Sequence, residues 1–332
     1  MTTLIFPAVN QAAVEYIEAA EERGEDIICA SSDNRLNTWR LSAIHNKEFA
    51  NDFIVFREQY DITHIFCPVA SVHSFMQKFI ADYGLDIQLI GKSPIQQELD
   101  RHKALMKRAA LLAPTAKLPV IEVASILRQA FNIYGESNDE KLAAMMGIFA
   151  DMPNGDVVEI GCLAGRSAFV LMWLAGRYSI GAQLTVDPWS AAEGAQKDSP
   201  PLLTEMSNAW DWDALAEIFY VNTFCFMRHA HLRLASEDAY DRYLTSPMLS
   251  HIQFAKSIAV IHIDGNHDYA SVKQDCDLWL TRMAPGGWLI LDDYVWVHGD
   301  GPCRAGDELL LEKADSIAQH FECGKALFVQ FK

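Results

Sequence analysis

The chain has 332 residues, 50% of them hydrophobic and 21% charged, the balance of a globular protein with room for two domains. Its net charge of −17, from 44 acidic against 27 basic residues, repels a phosphate backbone and sets nucleic-acid partners aside. No apolar run reaches the roughly 20 residues that span a bilayer, and "MTTLIFPAVNQAAVEY" has no basic stretch leading into a long apolar core. No membrane association and no signal peptide are therefore expected, and the chain reads as cytoplasmic. The seven cysteines lie scattered without a Cys-x-x-Cys pair, which speaks against zinc and against a disulfide framework.

In chain order, "LIFPAV" (4–9) predicts a buried strand, followed by a helix over 11–23 that ends at Gly24. "DIICAS", "HIFCPV" and "IQLIG" predict three more strands, with the helix "SVHSFMQKFIADYG" between the last two. This alternation implies a small parallel sheet, so residues 1–93 form one α/β domain. A charged helix and proline punctuation in "SPIQQELDRHKALMKRAALLAPTAKLP" make 94–130 a helical linker or inter-domain helix. "EVASILRQAFNIYGESNDEKLAAMMGIFADMP" predicts two further amphipathic helices, the second opening a domain over 131–332. Its strands are "DVVEIGC", "QLTVDP", about "HLRLAS", "IAVIHID" and "WLILDDY", alternating with helices. The closing "HFECGKALFVQF" turns at Gly324–Lys325, too tightly for a crossover helix, and is an antiparallel hairpin. The expectation is a doubly wound seven-stranded α/β sheet with one antiparallel strand, beside the smaller N-terminal α/β domain.

"VVEIGCLAGRSAFVLMWLAG" sets Glu159, Gly161 and Gly165 between a strand and a helix. A Gly-x-x-x-Gly turn there lets backbone approach a ligand and aims helix amides at an anionic group, although Gly161 alone also suits ordinary turn chemistry. No Gly-Lys-Ser/Thr follows, which excludes a P-loop, and the spacing is not that of a dinucleotide fingerprint. Asp187 ends "QLTVDP", where an acid either accepts from ribose hydroxyls or caps a turn.

The segments "EIGCLAGRSA", "VDPWS" and "IDGNHDY…D…L…PGGWLILDDY" resemble the class I S-adenosylmethionine-dependent methyltransferases, in particular the small-molecule O-methyltransferase branch of the macrocin O-methyltransferase type. The resemblance covers roughly 130–332. It implies that Glu159, Gly161, Gly165 and Ser167 cradle the methionine part of the cofactor, that Asp187 binds ribose, and that Ser236, with Glu237, lies near adenine. It also implies a magnesium ion held by Asp264, Asp292 and Asp293. The residues agree with that last point. Ligands of open α/β sheets bind at the carboxyl ends of strands, hard oxygen donors suit Mg²⁺, and three converging carboxylates repel one another unless a cation lies among them. The other reading is that the aspartate pair caps a turn while Asp264 faces solvent.

Where this branch often carries an acid as base, two residues after the first aspartate, the chain has Asn266, followed by His267. His267 is the expected catalytic base beside Asp264, or else a structural imidazole. Asp268 caps the next helix, which begins near Tyr269. His298 and Asp300, in the Gly-rich loop further on, either line the acceptor pocket or belong to a surface loop. The long connection from Pro188 to about His231 holds Trp210, Trp212, Phe219, Tyr220, Phe224 and Phe226. Such insertions serve as lids or substrate elements, and its aromatics also suit an extra packed helix at a subunit interface.

The N-terminal domain, with "HKALMKRAAL" after it, is similar to the leading domain of ATP-grasp ligases, but no grasp follows; the resemblance implies a docking or recognition module without ligase activity. The whole reads as an enzyme that methylates a hydroxyl of a small-molecule acceptor with S-adenosylmethionine and Mg²⁺, with a homo-oligomer as one assembly open to it. Two alternatives remain: metal-independent N- or O-methylation, and a cofactor-binding module that regulates a partner ligase.

Overall fold

Short apolar runs alternating with helices build two separate sheets in the computed structural model, which describes residues 2–33 and 38–332. The chain divides into two units, Met1–Ala104 and Leu105–Lys332.

In the first unit, β1 (Thr2–Ile5), β2 (Asp26–Ser31), β3 (Trp39–Arg40), β4 (Ile62–Phe66) and β5 (Gln88–Leu89) form a parallel sheet in the order β3-β2-β1-β4-β5. The first strand stops at Ile5, ahead of Pro7, and is shorter than expected because proline cannot donate to a ladder. Asn10 starts the helix Gln11–Glu22 by accepting from the Ala13 amide at 3.1 Å. The helix Phe49–Gln59 and the two-residue β3 were not foreseen; Phe49 and Phe53 are central to the core of this unit.

The second unit contains β6 (Asp156–Ile160), β7 (Gln183–Val186), β8 (His229–Leu232), β9 (Ile258–Ile263), β10 (Met283–Leu291), β11 (Ile317–Cys323) and β12 (Ala326–Phe331). Their order is β11-β12-β10-β9-β6-β7-β8. Only β12 runs against its neighbours, so the seven-stranded sheet with one antiparallel strand is as the sequence implies. The β11–β12 turn uses Gly324 and Lys325 at φ +58° and +74°, the left-handed pair that matches hairpin twist.

Two expectations are corrected here. The unit boundary falls inside the helix Pro94–Ala116, and Ala109, Leu112, Val123 and Leu127 are buried in one core with Val157, Val170 and Ile290. Residues 105–130 are thus core of the second unit, not linker. The helix Asp139–Ile148 is not amphipathic: Lys141 to Ile148 are all buried, beneath Val120–Ala130, Arg166–Tyr178 and β11. Among the described residues no single helix is long and apolar enough to cross a membrane.

Candidate active site at the carboxyl edge of the second sheet

Register sets the site. Ile160 pairs with Val186 and Ile263, and Ile263 pairs with Leu291. The ladder continues one residue beyond each strand. Gly161 N donates to Val186 O at 2.9 Å, Asp264 N to Ile160 O at 2.8 Å, Asp292 N to Ile263 O at 2.9 Å and Asp187 N to Leu232 O at 3.2 Å. Gly161, Asp187, Asp264 and Asp292 therefore stand in one row at the edge where open α/β sheets bind ligands.

Gly161 has φ +79°, and a Cβ on it would lie 2.0 Å from the Asp264 carbonyl oxygen. What demands glycine here is the neighbouring strand end. Gly165, at φ +97°, opens the helix Arg166–Tyr178, with Ser167 buried in its first turn. Asp187 is turned toward this turn. Its Oδ2 accepts from the Cys162 and Leu163 amides at 2.8 and 3.0 Å, and its Oδ1 from Trp189 N at 2.8 Å. Burial pushes its carboxyl pKa up against those three amide bonds. Ser236 begins the helix Ser236–Thr245 rather than continuing the ladder: its hydroxyl accepts from the Trp279 indole at 2.9 Å, and Glu237 accepts from Gln274 at 3.0 Å.

Beneath the row lies a buried charge cluster. The Glu159 carboxylate meets His262 Nδ1 at 2.9 Å, both fully buried. His262 Nε2 stands 3.8 Å from Asp264 and 3.7 Å from Asp292, electrostatic contacts longer than hydrogen bonds. Lys141, 1% exposed, hydrogen-bonds the Asp292 Oδ2 and lies 3.6 Å from Asp264. Burial alone would lower the His262 pKa, but Asp292 and Glu159 hold its proton and raise it to about 9. Burial opposes ionisation of Asp292 as well, yet Lys141 and His262 outweigh it and hold that carboxyl well below its usual range. Asp264 goes the other way, raised by burial and by the charge on Asp292.

Asp292, expected as a ligand, has its carboxylate engaged within the protein, and its donor atom also lies within 4.8 Å of those of His262 and Asp264. Its Oδ2 is taken by Lys141, and its Oδ1 accepts the Asp293 amide at 2.9 Å. Asp293, at φ +51°, meets His267 Nε2 at 3.1 Å. Donor atoms of Asp264, His267 and Asp293 all lie within 4.8 Å of one another. The side chains of Asp264, His267 and Asp293 are 24%, 18% and 19% exposed, against 0% for His262 and 10% for Asp292, so the outer group is the more accessible of the two. Two carboxylates are hard oxygen donors of the kind that suit a hard divalent cation.

The loop after β9 holds down the insertion. Asn266 donates its amide to Glu193 O at 2.9 Å and Ala195 O at 2.8 Å. A carboxylate there could not donate to two carbonyls, which accounts for an amide in the position where an acid was looked for. Asp268 makes no side-chain cap on the helix Tyr269–Trp279; its carboxylate instead accepts the Lys197 amide at 2.8 Å and the Asp198 amide at 2.8 Å. Gln196 donates to His267 Nδ1 at 3.3 Å, which leaves the His267 proton on Nε2, facing Asp293.

The insertion itself forms the helices Pro201–Ala209 and Trp212–Thr223. Phe219 and Trp189 bury against Cys162 and Ala168, and Asn222 donates to Ala164 O at 2.8 Å, so the second helix sits on the glycine turn. Trp210 lines a cavity of about 390 Å³ with Tyr134, Leu163, Leu215 and Ile218, while Phe224 is exposed. Trp296 packs against His267 at 4.4 Å between ring centroids and against His298 at 5.4 Å; His298 and Asp300 keep to the outer loop.

Lys141, His262 and Gln196 were not foreseen. Lys141 and His262 had a signal, a lone basic residue at the head of "KLAAMMGIFA" and another inside "IAVIHI". Gln196 had none.

Residues 158–294 match a family model described as a methyltransferase domain. No curated protein matches the chain. Among solved structures it is similar to the O-methyltransferase NovP, at 16% identity over 64% of this chain and 80% of that one, with a TM-score of 0.42. It is also similar to the calicheamicin methyltransferase CalS11, at 13% identity over 73% of this chain and 94% of that one, with a TM-score of 0.42. The mycinamycin-pathway methyltransferase MycE, in complex with Mg, SAH and mycinamycin VI, aligns at 14% identity over 54% of this chain and 45% of that one, with a TM-score of 0.34. The segment that matches the family model contains the glycine turn, the whole row of strand ends, His267 and Asp293.

Proposed function

We propose that the chain transfers the methyl group of S-adenosylmethionine to a hydroxyl of a small molecule, with a divalent ion, Mg²⁺, held by Asp264 and Asp293. The observation that carries this reading is the convergence of Asp264, Asp293 and His267 on the same sheet edge as the Gly161–Gly165 turn. When bound, S-adenosylmethionine supplies an electrophilic methyl group and the ion supplies Lewis acidity toward the acceptor hydroxyl.

The chain's own residues do the rest. The turn, fixed in shape by Asp187, offers the first amides of the helix Arg166–Tyr178 to the anionic part of the cofactor. Asp293 holds the His267 ring through Nε2, which leaves Nδ1 to take the hydroxyl proton once Gln196 yields to the acceptor. The strap 193–198, tied by Asn266 and Asp268, excludes water from the transfer. Tyr134, Trp210 and Leu215 offer an apolar wall to the acceptor.

Incubation with radiolabelled S-adenosylmethionine and a panel of hydroxylated small molecules tests the reading. Labelling of an acceptor oxygen is expected to fall on the order of 10²-fold in EDTA and to return with Mg²⁺. Labelling that EDTA leaves unchanged favours metal-independent transfer instead.

A further inference from the structure

We propose that Lys141 is a built-in cation of this site: its ammonium occupies the space between Asp264 and Asp292, withdraws Asp292 from metal binding, and limits the edge to one divalent ion on the outer side. The location of that outer ion rests on the function proposed above; the role of Lys141 rests on its own position.

The lysine is held from both ends. Asn138 accepts its backbone amide at 2.9 Å, and Gly324 packs so closely that a Cβ there would lie 2.4 Å from that same nitrogen. With the backbone fixed and the residue 1% exposed, the ammonium has a single destination, the Asp292 carboxylate, with Asp264 at 3.6 Å. A buried ammonium is tolerated only when paired, and a divalent ion placed beside it between the same carboxylates would be repelled. The ion is therefore displaced toward Asp293 and His267, the side covered by the strap through Gln196, where an acceptor oxygen must arrive. Lys141 acts through the two aspartates and is a positioning residue.

Counting Mn²⁺ bound per chain, by the electron paramagnetic resonance of free Mn²⁺ and without cofactor or acceptor, tests this. Lys141→Met keeps the bulk and leaves Asp264 and Asp292 without their ammonium; it is expected to bind one Mn²⁺ more than the natural chain. Its thermal midpoint is expected to be lowered in EDTA and raised again by Mn²⁺. In the double variant Lys141→Met/Asp292→Asn, which removes both charges, the extra ion is expected to vanish and the midpoint in EDTA to recover. Equal Mn²⁺ counts for Lys141→Met and the natural chain, or an extra ion that persists in the double variant, would overturn the proposal. A natural chain that binds no Mn²⁺ counts instead against the metal in the proposed function, because the Lys141 inference is judged on the difference of one ion.

Discussion

Gly161→Ala is expected to destabilise the second unit by about 4 kcal/mol or more. Two costs add. The residue has φ +79°, a conformation worth roughly 1–2 kcal/mol to an L side chain, and the new Cβ would lie 2.0 Å from Asp264 O and 2.7 Å from Gly265 Cα. The obstructing atoms are backbone atoms of an adjoining strand end, tied by the Asp264 N to Ile160 O bond, so no side chain can swing away. Gly176→Ala is the matched control. It lies in the helix Arg166–Tyr178 with nothing within 4 Å of a new Cβ, and it should stabilise by about 0.5–1 kcal/mol. Urea unfolding of both variants checks this; a Gly161→Ala midpoint at or above that of Gly176→Ala contradicts the assigned geometry.

His267→Ala is expected to lower kcat by about 10²–10⁴-fold, the range that general-base catalysis supplies. The ring touches Asp293, Gln196 and Trp296 but none of Gly161, Gly165 or Asp187, so calorimetric affinity for S-adenosylmethionine should stay within a few-fold. A variant that keeps its kcat assigns the proton elsewhere and leaves His267 as a fastener of the strap.

The strand ends were legible because β6 and β9 are buried along their whole length and read as mainly apolar runs, broken only by Asp156, Glu159 and His262. Each run stops at the residue that the ladder places in the row, Gly161 or Asp264. The terminal hairpin was legible for a local reason, two left-handed turn residues, Gly324 and Lys325, leading into the apolar run of β12. What the sequence could not show is long-range pairing. Lys141 and Asp292 are 151 positions apart, and although the apolar run after Lys141 marks a buried helix, nothing local names the partner of its ammonium. Asn266 and Asp268 have their partners in 193–198, a segment without periodicity. The division of the aspartate pair was partly foreseeable. Consecutive residues at a strand end point to opposite sides, so Asp292 and Asp293 would not both face one ion unless the backbone turned between them. It does turn, at Asp293, and carries that carboxylate to His267 while Asp292 stays with Lys141.

The central claim is that one edge of one sheet holds both the cofactor and the ion. A crystal structure with S-adenosylhomocysteine and Mn²⁺ tests it most directly, with the anomalous signal of manganese locating the ion. The account predicts the cofactor against Gly161–Gly165 and a single ion about 2.1 Å from carboxylate oxygens of Asp264 and Asp293, with Lys141 still on Asp292. An ion bridging Asp264 and Asp292 with Lys141 expelled, or a cofactor lying away from the glycine turn, would contradict it.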